Sequence, residues 1–170
     1  MTSASADRSL APITDDDLRR LGRLAAADRD GLFARSSRTA RLYRDRLFAV
    51  ALCQGAALHR LNGTNGVKDF DVWSFYVAHP EGPYPPRRNG TADFGLPKFG
   101  KTPDFEHFVG RRVDLLGRSY PFNPSEDVAR GIRGYLRRAR TETARFLAAK
   151  AVILIEPLDR HGEVVWPVAP

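Results

Sequence analysis

Apolar residues near the start of the chain recur at the three-to-four-residue spacing of an α-helix: Leu18, Leu21 and Leu24 follow the polar run Thr14-Asp15-Asp16-Asp17. A threonine cap followed by acids in the first turn, where they complement the helix dipole, predicts a helix from about Asp15 to Asp28. Gly31 lies just beyond it, and a second helix is expected from near Ser37 to about Asp45 or somewhat beyond. The pattern then changes. Leu47 to Gln54 (LFAVALCQ) is a continuous apolar run of strand length. Periodicity does not separate a buried strand from a continued helix there. The preferred reading is a strand, a tight turn at Gly55 and a short helix to Leu61.

Asn62-Gly63-Thr64-Asn65-Gly66 is a loop signal. Val67 to Ala78 (VKDFDVWSFYVA) packs Phe, Val, Trp and Tyr into a short span and is the clearest strand. From His79 to Gly100 prolines and glycines dominate, which predicts a long excursion of the kind that often carries function. Arg111 to Leu116 (RRVDLL) reads as a strand stopped by Gly117. Asn123-Pro124-Ser125 caps a helix expected from about Ser125 to Lys150. Val128, Ile132, Tyr135, Ala139 and Phe146 mark one face of it, and Arg130, Arg133, Arg137 and Arg140 form a stripe on the other. Ala151 to Ile155 (AVILI) is a buried strand, and Glu163 to Val168 an edge strand. No internal repeat is present. Helices and strands alternate in an order that predicts a mixed α/β (α+β) domain over residues 13–170, after a flexible polar tail over 1–12.

Composition narrows the function classes. A 170-residue chain with 42% apolar residues suits one domain with a substantial core. No apolar run approaches the ~20 residues that span a bilayer. Met1 to Leu10 lacks a basic segment followed by an apolar one, so no secretory signal is expected. Cys53 is the only cysteine, which excludes an intrachain disulfide and a thiolate zinc site. Both points suit a cytoplasmic protein without a membrane partner. Lys and Arg total 27 against 20 acids, and all but Lys68, Lys98, Lys101 and Lys150 of the cations are arginines. Arginine's planar fork matches phosphate oxygens, so a nucleotide or nucleic acid fits this surface; a solvated arginine-rich surface accounts for it equally well.

The chemistry concentrates in three aspartates. Residues two apart on a strand point to one face, so Asp69 and Asp71 project together while Phe70 turns into the core. Two adjacent carboxylates repel and are costly to bury, objections that a divalent cation removes. Asp114 lies between Val113 and Leu115, where an unpaired charge is expensive. On a neighbouring strand it would complete a site for two metal ions able to support in-line phosphoryl displacement. The competing structural reading makes Asp69 a strand cap, pairs Asp71 with an arginine and pairs Asp114 with Arg111 or Arg112.

These stretches, LFAVALCQGAALHRL (Leu47 to Leu61), VKDFDVWSF (Val67 to Phe75) and RVDLL (Arg112 to Leu116), resemble the nucleotidyltransferase superfamily. Its pattern is a strand, a Gly-containing turn, a short helix, an Asp-apolar-Asp strand and a third Asp on a later strand. The resemblance covers roughly Leu47 to Gly117. It implies a nucleotidyltransferase-like mixed sheet flanked by helices. Asp69, Asp71 and Asp114 would hold Mg²⁺ or Mn²⁺, and the Gly55 turn would approach the triphosphate of a nucleoside triphosphate through its N–H groups. That family usually has Gly-Ser or Gly-Gly at the turn; here it is Gly55-Ala56, without the hydroxyl.

Other residues carry less. Arg111, Arg112 and Arg118 could contact phosphate or stabilise transition-state charge, or serve as ion pairs. Lys98 and Lys101, with Phe94 and Phe99, form a Gly-Pro loop that could cover a nucleotide or be a solvated connection. His59, His79 and His107 lack metal-site spacing and are expected at the surface or in support. Cys53 is expected to be a small core residue. No Gly-x-Ser-x-Gly, Rossmann or Walker pattern occurs. The expected activity is transfer of a nucleoside monophosphate to an acceptor. The alternatives are a catalytically inactive module that binds nucleic acid or a protein partner, and a toxin–antitoxin type interaction protein.

Overall fold

The computed structural model describes residues 7–85, 89–103 and 105–168. Thr14 caps α1 (Asp15–Arg35) as expected: its hydroxyl accepts from the Asp17 N–H, and the Asp17 carboxylate accepts the Thr14 N–H at 2.8 Å. The helix runs past its predicted end and through Gly31. Burial of Leu32 and Phe33 offsets the roughly 1 kcal/mol that a mid-helix glycine costs. Then come α2 (Ser37–Tyr43), β1 (Leu47–Cys53), α3 (Gln54–Asn62) and β2 (Phe70–Val77), close to their expected bounds. The chain ends with β3 (Asn89–Asp93), β4 (Arg112–Tyr120), α4 (Val128–Arg138), α5 (Glu142–Ala148), β5 (Val152–Glu156) and β6 (Val164–Trp166).

The sheet order is β3-β4-β2-β1-β5-β6. All neighbours are antiparallel except β2 and β4, which run parallel. A parallel pair needs a long crossover, and the Pro- and Gly-rich excursion supplies it. One face of the sheet (Val50, Leu52, Phe70, Val72, Val113, Leu115) packs with Leu18 and Leu21 of α1 and Ala56 and Ala57 of α3. The other (Ala51, Cys53, Phe75, Leu154) packs with Ile132 and Tyr135 of α4 and Ala144 and Leu147 of α5. The sheet is thus the middle layer of a mixed α/β fold.

Three sequence expectations change. The excursion is not all loop, since β3 pairs along the outer edge of β4. Its sequence, NGTAD, has Thr91 as its one strand former, so pairing decides its form. Asp93 anchors the turn beyond β3 by accepting the N–H groups of Gly95, Val109 and Gly110 at 2.7–2.9 Å. Burial opposes ionisation of Asp93, but these bonds hold its carboxyl below the ordinary range. Second, Gly117 does not stop β4. It makes room, because an added Cβ would lie 2.5 Å from the Tyr84 ring. Third, the long C-terminal helix is two helices. Ala139 turns left-handed at φ 47°, and Thr141 opens α5 by accepting the Ala144 N–H at 3.0 Å. The four arginines therefore form no single stripe: Arg130 pairs with Glu126, Arg133 with Glu163, and Arg140 falls in the break.

The described part of the segment expected to be a flexible tail is tied down. Ser9 and Val67 exchange two backbone hydrogen bonds, at 3.0 and 2.7 Å, and the Asp7 carbonyl accepts from Arg111. Among the described residues no helix is long and apolar enough to cross a membrane.

Candidate functional site

β1 ends at Cys53, and the chain turns into α3 through Gln54 at φ 62°, a left-handed conformation that costs a non-glycine residue about 1–2 kcal/mol. Two bonds hold it: the Gln54 side chain donates to the Phe146 carbonyl at 3.0 Å, and its N–H to the Ala151 carbonyl at 3.1 Å. No side chain caps α3, so its first N–H groups, at Gly55 and Ala56, are free of a capping oxygen.

The sheet register brings the carboxylates to this turn. Asp71 sits opposite Cys53 on one side and opposite Asp114 on the other. Adjacent strands lie about 4.8 Å apart, so these are neighbouring side chains. Phe70, fully buried, and Val113 pack into the α1 face; strand alternation therefore turns Asp71 and Asp114 to the α4–α5 face. Asp69 stands just ahead of β2. With Asp71, Gln54, Gly55 and Ala56 it lines a cavity of about 180 Å³.

Asp71 is the perturbed member. Burial first, then the Asp69 and Asp114 charges, push its carboxyl up to about 7, against the pull of Lys150 and Arg112. Burial also raises Asp114, and Arg112 opposes this with a 2.7 Å bond from Nε to one carboxylate oxygen. The competing reading of Asp114 as an ion pair with Arg112 is thus part of the structure. Burial, then Asp71, raises the Cys53 thiol, which suits a core residue rather than a nucleophile. Among the described residues no hydrogen bond or ion pair reaches the Asp69 or Asp71 carboxylate, and no three His, Cys, Asp or Glu side chains are grouped so that they could hold a metal ion.

The remaining sequence candidates separate. Arg112 stays beside the carboxylates, its guanidinium 4.7 Å from the Phe105 ring centroid. Lys98 does not join them: it pairs with Asp17 at the start of α1. Arg111 is buried and donates to the Phe99, Asp7 and Lys68 carbonyls, a structural role. His59, expected near the surface or in support, is buried; its Nδ1 accepts the Gly66 N–H and its Nε2 meets the Ala11 carbonyl.

Lys150 was not singled out by sequence. Its ammonium lies 3.8 Å from where a Cβ on Gly55 would be, and it lines the carboxylate cavity with Arg8 and Lys68. The available signal was a rare lysine directly before the buried β5 run. Three cations, Arg8, Lys68 and Lys150, thus share the lining of this cavity with two carboxylates, Asp69 and Asp71; Asp114 stands beside Asp71 but outside the lining.

The scan against protein-family models and the searches of curated proteins and solved structures found no match to this chain.

Proposed function

We propose that the chain is a metal-dependent nucleotidyltransferase, which passes a nucleoside monophosphate from a triphosphate to an acceptor. The observation that carries the reading is Asp71, held near neutrality by burial and by Asp69 and Asp114, beside the uncapped start of α3. The donor set fits a divalent cation, because positive charge relieves the repulsion that raises Asp71. Asp69 and Asp71 would hold Mg²⁺ or Mn²⁺, with Asp114 available when Arg112 yields an oxygen. When bound, the metal neutralises phosphate charge and polarises the reacting phosphoryl group.

The chain's own groups do the rest. The Gly55 and Ala56 N–H groups point from a helix start, where anions bind. Lys150 supplies at that turn the phosphate contact that the missing hydroxyl would give. Asp114 orients the acceptor and takes its proton.

The decisive test is calorimetric titration with Mg²⁺ and each nucleoside triphosphate, on the wild type and an Asp69→Asn, Asp71→Asn double variant. Binding that needs the metal and disappears in the variant supports the transferase reading. Lys150→Gln should weaken it about tenfold, the loss of one charge-assisted contact, with the metal requirement kept.

The Arg112–Asp114 ion pair and Ala56 favour a second reading, an inactive module that binds nucleic acid or a protein partner. Under that reading no triphosphate binds and the double variant behaves as the wild type.

A further inference from the structure

Beside the carboxylate cavity lies a second one, of about 330 Å³, lined by Trp73, Phe146, Glu142 and Thr143. Phe146 belongs to both cavities. Trp73 follows Asp71 by two residues and so stands on the same sheet face. Phe146 is 61% exposed, in contrast to its helix neighbours Ala144 and Leu147, which are buried. Its backbone carbonyl accepts from Gln54, which ties this point of α5 to the turn at Gly55. Trp73 is half-buried, held against the α4–α5 core and stacked on Phe75 at 6.3 Å, so one part of a rigid ring is left facing the cavity opposite the exposed Phe146.

We infer that Trp73 and Phe146 form a stacking shelf for the aromatic base of a nucleotide whose phosphate end lies at the Gly55 turn. The inference rests on the nucleotidyltransferase reading for the source of the ligand. The volume is within the range of small-molecule sites. A base offers a flat π-face to rings of either type, and stacking of this sort is tolerant of base identity. Glu142 and Thr143 put oxygen acceptors at the rim, within the same cavity, for the amino groups at a base edge. The base belongs either to the donor triphosphate or to the acceptor nucleotide.

Tryptophan emission reads the shelf directly. The chain has two tryptophans, so Trp166→Phe leaves Trp73 as the only reporter. ATP with Mg²⁺ should quench Trp73, whereas inorganic tripolyphosphate should bind without quenching. Phe146→Ala, a change at an exposed side chain, should weaken ATP roughly 5- to 100-fold and leave tripolyphosphate affinity unchanged. Quenching by AMP that survives the Asp69→Asn, Asp71→Asn change assigns the shelf to the acceptor base; quenching that disappears with it assigns the shelf to the donor base. If calorimetry finds Mg²⁺-dependent ATP binding but neither ATP nor AMP quenches Trp73, the shelf is overturned and the transferase reading stands. If AMP quenches Trp73 while no triphosphate binds, the transferase reading falls and the shelf stands.

Discussion

Asp71→Asn should make the metal-free protein more stable at pH 8 and, under the proposed transferase function, remove the Mg²⁺-dependent triphosphate binding which that function requires. The carboxyl titrates near 7 in the folded chain and near the ordinary aspartate value of 3.8 when unfolded. Between those values the unfolded chain has released a proton that the folded chain still holds, so stability falls as pH rises through the window. Above about pH 7 the deficit is complete, about 4 kcal/mol as an upper bound. Asn has similar shape and no charge, so it escapes that deficit, and its melting temperature should exceed the wild type's by roughly 5–10 °C at pH 8. At pH 4 and below the two should melt together. Adding Mg²⁺ should raise the wild type toward the variant and leave the variant unmoved. Scanning calorimetry at three pH values, with and without Mg²⁺, checks all of this. A variant less stable than the wild type at pH 8 would show Asp71 to be an ordinary structural carboxylate.

That result would also show how far the site was legible before the fold was known. The Asp-Phe-Asp spacing is legible in part: alternation along β2 sends Phe70 one way and Asp71 the other, but the strand begins at Phe70, so Asp69 is placed by the approach to β2 and not by the pleat. Strand formers from Phe70 to Val77 make the strand itself easy to read. The adjacency of Asp114 was an expectation of pattern; the parallel β2–β4 register supplies it. Lys150 and Phe146 were not legible as site residues. Both depend on where α5 lies, and periodicity ran α4 and α5 together as one helix. The break depends on Ala139 in a left-handed conformation, which no propensity favours, although Thr141-Glu142 is a helix-start signal. Lys98 was misplaced for a related reason. Its loop composition suggested a cover over a ligand, but the excursion folds back on the α1 face, where Asp17 holds the ammonium. The sequence carries local geometry; long excursions and helix breaks depend on partners distant in the chain.

Phe70→Ala should have the opposite effect to Asp71→Asn from the very next position. Phe70 is 0% exposed, and its ring meets Phe94 at 5.2 Å and Phe99 at 5.1 Å, both contributed by the excursion. Truncation removes the buried ring and leaves a cavity between sheet and excursion, at a cost of about 3–5 kcal/mol. For a chain of this size that is a melting temperature lower by roughly 10 °C or more, with little dependence on pH, since no titrating group is removed. Urea denaturation should show a lower midpoint with an unchanged slope. Amides around Phe94 and Phe99 should lose hydrogen-exchange protection before those of β1 and β5, which keep their own contacts. Phe70→Leu, which keeps most of the volume, should cost less than half as much. If Phe70→Ala were tolerated without loss, the ring cluster would not anchor the excursion. The two neighbours thus divide the strand's work. The inward face supplies the stability that the outward face, by crowding carboxylates, partly gives up.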